Sequence, residues 1–431
     1  AYEMQLQSRR RFLHLRAADA VRVTYDNDPT PHYAEMAHHY HFGEARDDER
    51  TYAVLAGDHA AAEFANDDAL RFYSRSLALT ESDDRHEQRS LLLRREAVFD
   101  LLGAREQQEQ DLNALTYLEE DALPEERGTL LLRQTEFQRI TGDYEGAQRT
   151  VALALQMADE GNDIQQKVRC LHLQGRILWP MGQYSNARTT LQKAQRIAAD
   201  NGLQKYVTLC NYDIGVTYQQ ENRYDAARTY FGNAQIGFEA TDDRMGLARC
   251  TAMMGVIENE VGRYLSAQRQ YLSALDLCET IGWRFGVAVC LGYLCNNHFA
   301  LGDYESAKQF NQRNIVLSRE LADQNGLANS LDTGGLIEFM HGHFDLAEKQ
   351  CSQALALYQE IGARRDEAYA LTHLGLVAIQ QDDLNRAATY LKNAVDYRTE
   401  SGEFAARIDS LAAIANVHAL RGEHEKSITI V

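Results

Sequence analysis

The feature that most constrains this chain is a phrase that returns every 40 residues. Gly142-Asp-Tyr-Glu-Gly-Ala147 reappears as Gly182-Gln-Tyr-Ser-Asn-Ala187, Asn222-Arg-Tyr-Asp-Ala-Ala227 and Gly262-Arg-Tyr-Leu-Ser-Ala267. It continues as Gly302-Asp-Tyr-Glu-Ser-Ala307 and Gly342-His-Phe-Asp-Leu-Ala347, with weaker copies starting at Asp382 and Gly422. Two further ladders run in phase: Gly175, Gly215, Gly255, Cys295, Gly335, Gly375, and Ala154, Ala194, Ala234, Ala274, Asn314, Ala354, Ala394. Self-similarity at a fixed period of this length is the signature of stacked supersecondary units.

Each unit reads as helix, turn, helix. Leu171, Leu173 and Leu178 precede the turn, and Ala187, Leu191 and Ala194 follow it at helical spacing. The turn glycine stops the first helix. The small residues inside the helices let two axes approach at the short end of the ~8–10 Å packing range. One pair cannot bury its apolar side alone, so successive pairs must stack. Looser copies at Leu102–Gln108 and Phe64–Ala69 extend the series upstream at a spacing of 39, giving about ten pairs. The chain thus divides into regular repeats over 129–431, two divergent pairs over 51–128, and a helical arm or junction over 1–50. The arm carries the basic stretch Arg9–Ala20, a break at Asp26-Asn-Asp-Pro-Thr-Pro31, and a short helix around Tyr33–Tyr40.

The small residue, the turn Gly, the aromatic two residues later, the Ala three beyond that and the second-helix Ala together resemble the tetratricopeptide repeat. That resemblance implies an all-α, right-handed solenoid. The unit is six residues longer than the ~34 of the family, which predicts extended helices. Residues 1–80 resemble the junction after the nucleotide-binding module of signal-transduction ATPases with numerous domains (STAND), a class that includes the maltose-regulon activator. In that family an arm leads into a superhelical sensor. From the opening Ala1-Tyr2-Glu3 and the end at Val431, inside an expected second helix, the chain is expected to be a piece of a longer protein.

Charge and motifs narrow the function by exclusion. With 44 Lys+Arg against 63 Asp+Glu the net charge is −19, the wrong sign for tracking phosphates, so nucleic acid is not an expected partner. No run approaches the ~20 apolar residues of a membrane span. Apolar residues at 45% describe a folded chain. No Gly-x-x-x-x-Gly-Lys-Ser/Thr loop, Gly-x-Ser-x-Gly, His-Glu-x-x-His or Cys-x-x-Cys occurs. The chain is therefore read as non-catalytic and without a cofactor of its own. ATP and Mg are expected only in an upstream module.

Cys170, Cys210, Cys250 and Cys290 share one slot, whose other occupants are Leu130, Ser330, Ala370 and Ser410. Sulfurs one repeat apart are too distant for zinc or a disulfide, so they read as small buried packing residues and reduced thiols, suiting a cytoplasmic protein. His38, His39 and His41 read as arm histidines. In tetratricopeptide arrays the first helix of each pair lines the inner groove. Carrying those offsets onto this chain selects Arg169, His172, Arg176, Trp179, Tyr212, Gln219, Arg249, Asn259, Asn296, Phe299, Asp332 and Phe339. Arginines with aromatics suit a ligand offering a carboxylate, a phosphate or a stacking surface. The repeat at 289–320 is irregular, with Cys295, Asn296, Asn297, Asn311 and Asn314. Its amides either satisfy one another or address a ligand, and internal pairing is the expectation. Pro180 should kink a first helix beside Trp179.

The resemblance implies a sensor that binds an inducer (peptide, small molecule or protein) in its groove and holds its own upstream ATPase module closed. Oligomers are expected only of the full-length activated protein. The alternative is a free-standing scaffold or a peptide receptor similar to the bacterial quorum receptors.

Overall fold

The computed structural model describes residues 7–321, 323–401 and 404–430. Among them it holds twenty-two α-helices and no strand. The arm consists of α1 (Gln7–Thr24) and α2 (Tyr33–Gly43). Then come α3 (Arg46–Ala62), α4 (Asn66–Leu79), α5 (Arg85–Leu102), α6 (Arg105–Tyr117), α7 (Pro124–Ile140) and α8 (Tyr144–Glu160). The series continues through α9 (Ile164–Leu178), α10 (Tyr184–Asp200), α11 (Gln204–Gln220), α12 (Tyr224–Ala240), α13 (Arg244–Glu260) and α14 (Tyr264–Thr280). It ends with α15 (Arg284–Ala300), α16 (Tyr304–Glu320), α17 (Gln324–Met340), α18 (Phe344–Ile361), α19 (Arg364–Gln380), α20 (Leu384–Ser401), α21 (Phe404–Leu420) and α22 (His424–Ile430). This is the all-α, tetratricopeptide-like solenoid that the period predicts. No helix among the described residues is long and apolar enough to cross a membrane.

The extra length per repeat lies in the helices. α8, α10, α11 and α12 are 17 residues each and are joined by three-residue turns, so two helices and two turns consume the 40-residue period. The turn chemistry follows from the recurring phrase. Gly142 adopts φ +87°, and the amides of Gly142 and Asp143 fold back on the carbonyls of Arg139 and Gln138 at 3.4 and 2.8 Å. That wrap satisfies the orphan carbonyls of α7. Where glycine is missing, Asn222 and Asp382 take the same left-handed conformation at φ 59° and 60°, a conformation that short polar side chains tolerate. The next residue caps the following helix: Asp143 accepts from Gly146 N at 2.8 Å, and Asp303 from Ser306 N at 3.2 Å.

Inside the helices the small positions face a larger residue on the next helix. A Cβ at Gly175 would lie 2.5 Å from Leu191 Cγ, one at Gly215 2.8 Å from the Phe231 ring, and one at Gly375 2.6 Å from Leu391 Cγ. At the irregular repeat the corresponding pair is Cys295 and Asn311. Asn297 donates to Asn259 Oδ1 and to the Tyr264 carbonyl, both at 3.0 Å, so it pairs internally with the preceding repeat. Asn311 and Asn314 are buried and Asn296 is exposed. α9 does not kink at Pro180. It stops at Leu178, two residues short of α11, with Trp179 as its cap. All seven cysteines are buried and outside any disulfide, as packing residues should be.

The chain forms two compact units. The first runs up to Ile257 and includes Asp276–Arg284; the second comprises Glu258–Leu275 and the chain from Phe285 onward. Within the first unit the turn at 281–283 meets the α3–α4 turn, where a Cβ on Gly282 would lie 2.7 Å from Asn66 Nδ2. Its core alternates between helices, as in Tyr212, Phe231, Ala234, Phe238, Cys250 and Ile257. The second unit has its own core, including Ala328, Leu331, Ala354, Tyr358 and Ala370.

Candidate functional site

The first unit carries a ladder of charged side chains across four successive first helices. At its start, Arg139 on α7 grips Glu136 one turn earlier through two hydrogen bonds of 3.0 and 2.8 Å. Arg176 of α9 reaches the same carboxylate, Nη1 to Oε1 2.9 Å, and leans the other way toward Asp213 of α11 at 3.8 Å. His172, one turn before Arg176, lies 2.6 Å from Asp213 Oδ2. An ionised carboxylate can only accept, so the imidazole N–H donates. Arg249 of α13 completes the series, 3.8 Å from Asp213 Oδ1, with its guanidinium 4.1 Å from the centre of the Tyr212 ring. Tyr212 in turn packs on Phe231 at 5.6 Å, and Trp179 lies against the same cluster.

Burial and charge decide what this arrangement can do. The Asp213 side chain is 3% exposed, whereas Arg139, Arg176 and Arg249 keep 15, 17 and 24%. The Asp213 carboxylate thus lies beneath the arginines, whereas the Glu136 side chain, at 22%, is as open to solvent as the guanidiniums beside it. Burial acts to raise the Glu136 carboxyl, but Arg176 and then Arg139 outweigh it and hold that group far below the usual carboxylate range. At Asp213 burial is likewise overcome, chiefly by the His172 hydrogen bond, with Arg176 and Arg249 behind it. Both acids are therefore ionised. Arg249 is held further up, against burial, by Tyr212 and Asp213. Arg176 is pushed down, first by burial and then by the Arg139 guanidinium beside it. Among the guanidiniums and carboxylates alone, three face two, a surplus of one positive charge in a chain whose net charge is −19.

Of the twelve residues selected by sequence, the structure gathers His172, Arg176, Tyr212 and Arg249 into this ladder, with Trp179 at its edge. Arg169 stays with Gln166 of its own helix at 3.3 Å, and Gln219 accepts from its neighbour Gln220. The others belong to the second unit. Asn259 holds Asn297, and Asn296 is exposed beside it. Asp332 of α17 pairs with His373 of α19 at 2.8 Å. Phe299 and Phe339 pack on the aromatics that open the next helix, Tyr304 at 5.3 Å and Phe344 at 5.7 Å. Sequence reasoning passed over Glu136, Arg139 and Asp213. The missed signal was complementarity between neighbouring repeats: Glu136 and Arg176 are 40 apart, and His172–Asp213 and Asp332–His373 are each 41 apart with the roles exchanged.

The tetratricopeptide repeat family matches residues 168–201. No curated protein sequence matches the chain. Among solved structures, the chain is similar to a Rap protein complexed with competence and sporulation factor (TM-score 0.61, 14% identity, 83% of this chain and 99% of that one). It is similar to the apo quorum sensor NprR of B. thuringiensis (TM-score 0.57, 16% identity, 81% and 97%). It is also similar to a STAND protein with a tetratricopeptide repeat sensor from Pyrococcus horikoshii (TM-score 0.57, 14% identity). That likeness covers 83% of this chain but spans only 53% of the archaeal one. At these identities the shared property is the fold, one that sensor domains and quorum receptors use.

Proposed function

We propose that the first unit is a recognition module whose arginine ladder receives an anionic group, a carboxylate or a phosphate, of a peptide, small-molecule or protein ligand. The observation that carries this reading is the surplus of guanidiniums over carboxylates: Arg139, Arg176 and Arg249, each partly open to solvent, share Glu136 and the buried Asp213. Guanidiniums take such groups through paired hydrogen bonds. The buried Tyr212 ring under Arg249 holds that guanidinium in place, and the partly buried Trp179 adds a flat surface against which the rest of a ligand can stack.

In this reading binding regulates an ATPase switch lying outside this sequence, a reading supported by the likeness of fold to the STAND protein with a tetratricopeptide repeat sensor. A ligand moves such a switch only through a difference in affinity between its two states, about 5.5 kcal/mol for near-complete conversion. The free-standing receptor is the second reading, favoured by the full-length likeness to the Rap protein and the quorum sensor.

The chain has two tryptophans, so Trp283→Phe leaves Trp179 as the sole reporter beside the ladder. Titration of this variant with a peptide mixture bearing free C-terminal carboxylates should shift its fluorescence. The same mixture amidated at its C-termini should bind at least tenfold more weakly, and Arg249→Gln should abolish the difference. Equal responses to free and amidated peptides would remove the anion-binding reading. An ATPase carrying this chain that is indifferent to a ladder-binding ligand would remove the switch and leave the receptor.

A further inference from the structure

We propose that the turn between α17 and α18, in the second unit, binds a divalent transition-metal ion through Glu338, His341 and His343. One donor atom from each of these residues lies within 4.8 Å of the other two. The turn itself creates the cluster: Gly342 sits between the two histidines with φ +77° and folds them back beside the last turn of α17.

Part of this cluster has an ordinary structural explanation. Acid–base pairs five residues apart straddle the same turn in other repeats: Glu258–Arg263 at 3.4 Å, His298–Asp303 at 3.0 Å and His418–Glu423 at 2.6 Å. Glu338–His343 at 2.8 Å is one more of these staples. His341 lies outside that device. Its position is filled by Thr141, Met181, Glu221, Val261, Leu301, Gln381 and Arg421 in the other repeats, so an imidazole stands there only beside the Glu338–His343 staple. Here it supplies a second imidazole. It also lies 3.6 Å from Glu305 at the start of α16, within reach of a fourth ligand atom.

Two imidazoles and a carboxylate select zinc-like ions over magnesium or calcium, which prefer all-oxygen shells. Bonds of ~2.0–2.2 Å to nitrogen and oxygen place tetrahedral donors about 3.3 Å apart. Closing the cluster around an ion therefore needs side-chain movements on the order of 1 Å, which the exposed His343 can make. Lys308 supplies the present counter-charge, its Nζ 2.7 Å from Glu338 Oε1. An ion arriving at the site takes over that role, so lysine and metal compete for one carboxylate.

The test uses untagged full chain and Co²⁺, read by calorimetry and by visible d–d absorption. His341→Ala leaves the Glu338–His343 staple in place and should weaken binding at least tenfold. Lys308→Met should tighten it several-fold, an effect that a merely structural cluster would not give. His373→Ala, in the same unit but away from the turn, should change neither value; helix content by circular dichroism should be unchanged in all three. Co²⁺ binding that is indifferent to His341→Ala would overturn the proposal, as would a thiolate charge-transfer band, which would place the ion on cysteine. The chain has 14 histidines, so the proposal rests on these differences and not on the binding of metal as such.

Discussion

Asp213→Asn is the most informative change to the ladder, because it removes one charge and almost no volume. Asp213 is 3% exposed and answers three cationic or donor groups: His172 at 2.6 Å, Arg176 at 3.8 Å and Arg249 at 3.8 Å. At an effective dielectric of ~20, each guanidinium at that distance interacts with the carboxylate by about 4 kcal/mol before desolvation is subtracted. Breaking a buried pair by deleting one member costs ~3–5 kcal/mol. Arg176 and Arg249 retain some contact with water, which places the expected loss near the low end, about 3 kcal/mol.

The loss should be local, because a repeat array is held mainly by neighbouring pairs. Hydrogen exchange is the fitting assay. Amides of α9, α11 and α13 should lose roughly a hundredfold in protection, while those of α19 and α20 should be unchanged. Three cations would then share one carboxylate, so raising the salt concentration should restore part of the protection. In an Arg249→Gln background the same substitution should cost clearly less, because one orphaned charge is already gone. Protection within threefold of wild type throughout α9–α13, or equal costs in both backgrounds, would refute the electrostatic account.

The two ladder acids also set a pH dependence. Glu136 and Asp213 have carboxyls held below their unfolded values, so their stabilisation is complete at neutral pH and is lost as pH falls through and below the carboxylate range. The difference in melting temperature between wild type and Asp213→Asn should therefore narrow steadily below about pH 4. Gly335→Ala should destabilise more than Gly175→Ala. Its Cβ would meet Cys351 Sγ at 2.3 Å and the Ala347 carbonyl at 3.1 Å, against a movable Leu191 side chain and a carbonyl at 3.4 Å for Gly175. Urea midpoints should rank them so, with Gly335→Ala costing ~1–3 kcal/mol and Cys351→Ala relieving part of it. The seven buried thiols should resist a disulfide reagent at pH 8 in the native protein, with Cys170, Cys250 and Cys295 each pushed up to about 12 by burial. All seven should react once the chain is unfolded in guanidinium.

The fold was legible because each part of the recurring phrase has one mechanical duty. Gly142 must turn left-handed, Asp143 must cap α8, and Gly175 must admit Leu191. These duties are local, and a period of 40 repeats them in register, so the sequence states them many times over. The ladder is stated once. Asp213 occupies a slot that Leu173 and Met253 fill with apolar side chains, and a rule built on groove-facing offsets discards that slot. What stabilises an acid there is not its own helix but the residues one repeat before and after it, His172, Arg176 and Arg249. The same holds in the second unit, where Asp332 and His373 exchange the positions of His172 and Asp213. The proposed binding site is thus a departure from the repeat, compensated only across its neighbours. It becomes visible in sequence when charges are compared between adjacent units at offsets near 40, and stays hidden while each unit is aligned on its own consensus. By that criterion the Glu136–Arg176–Asp213–Arg249 run is the longest compensated departure described in the first unit, where loss of the buried Asp213 should loosen the solenoid locally and loss of the more open Arg249 should act first on the proposed recognition.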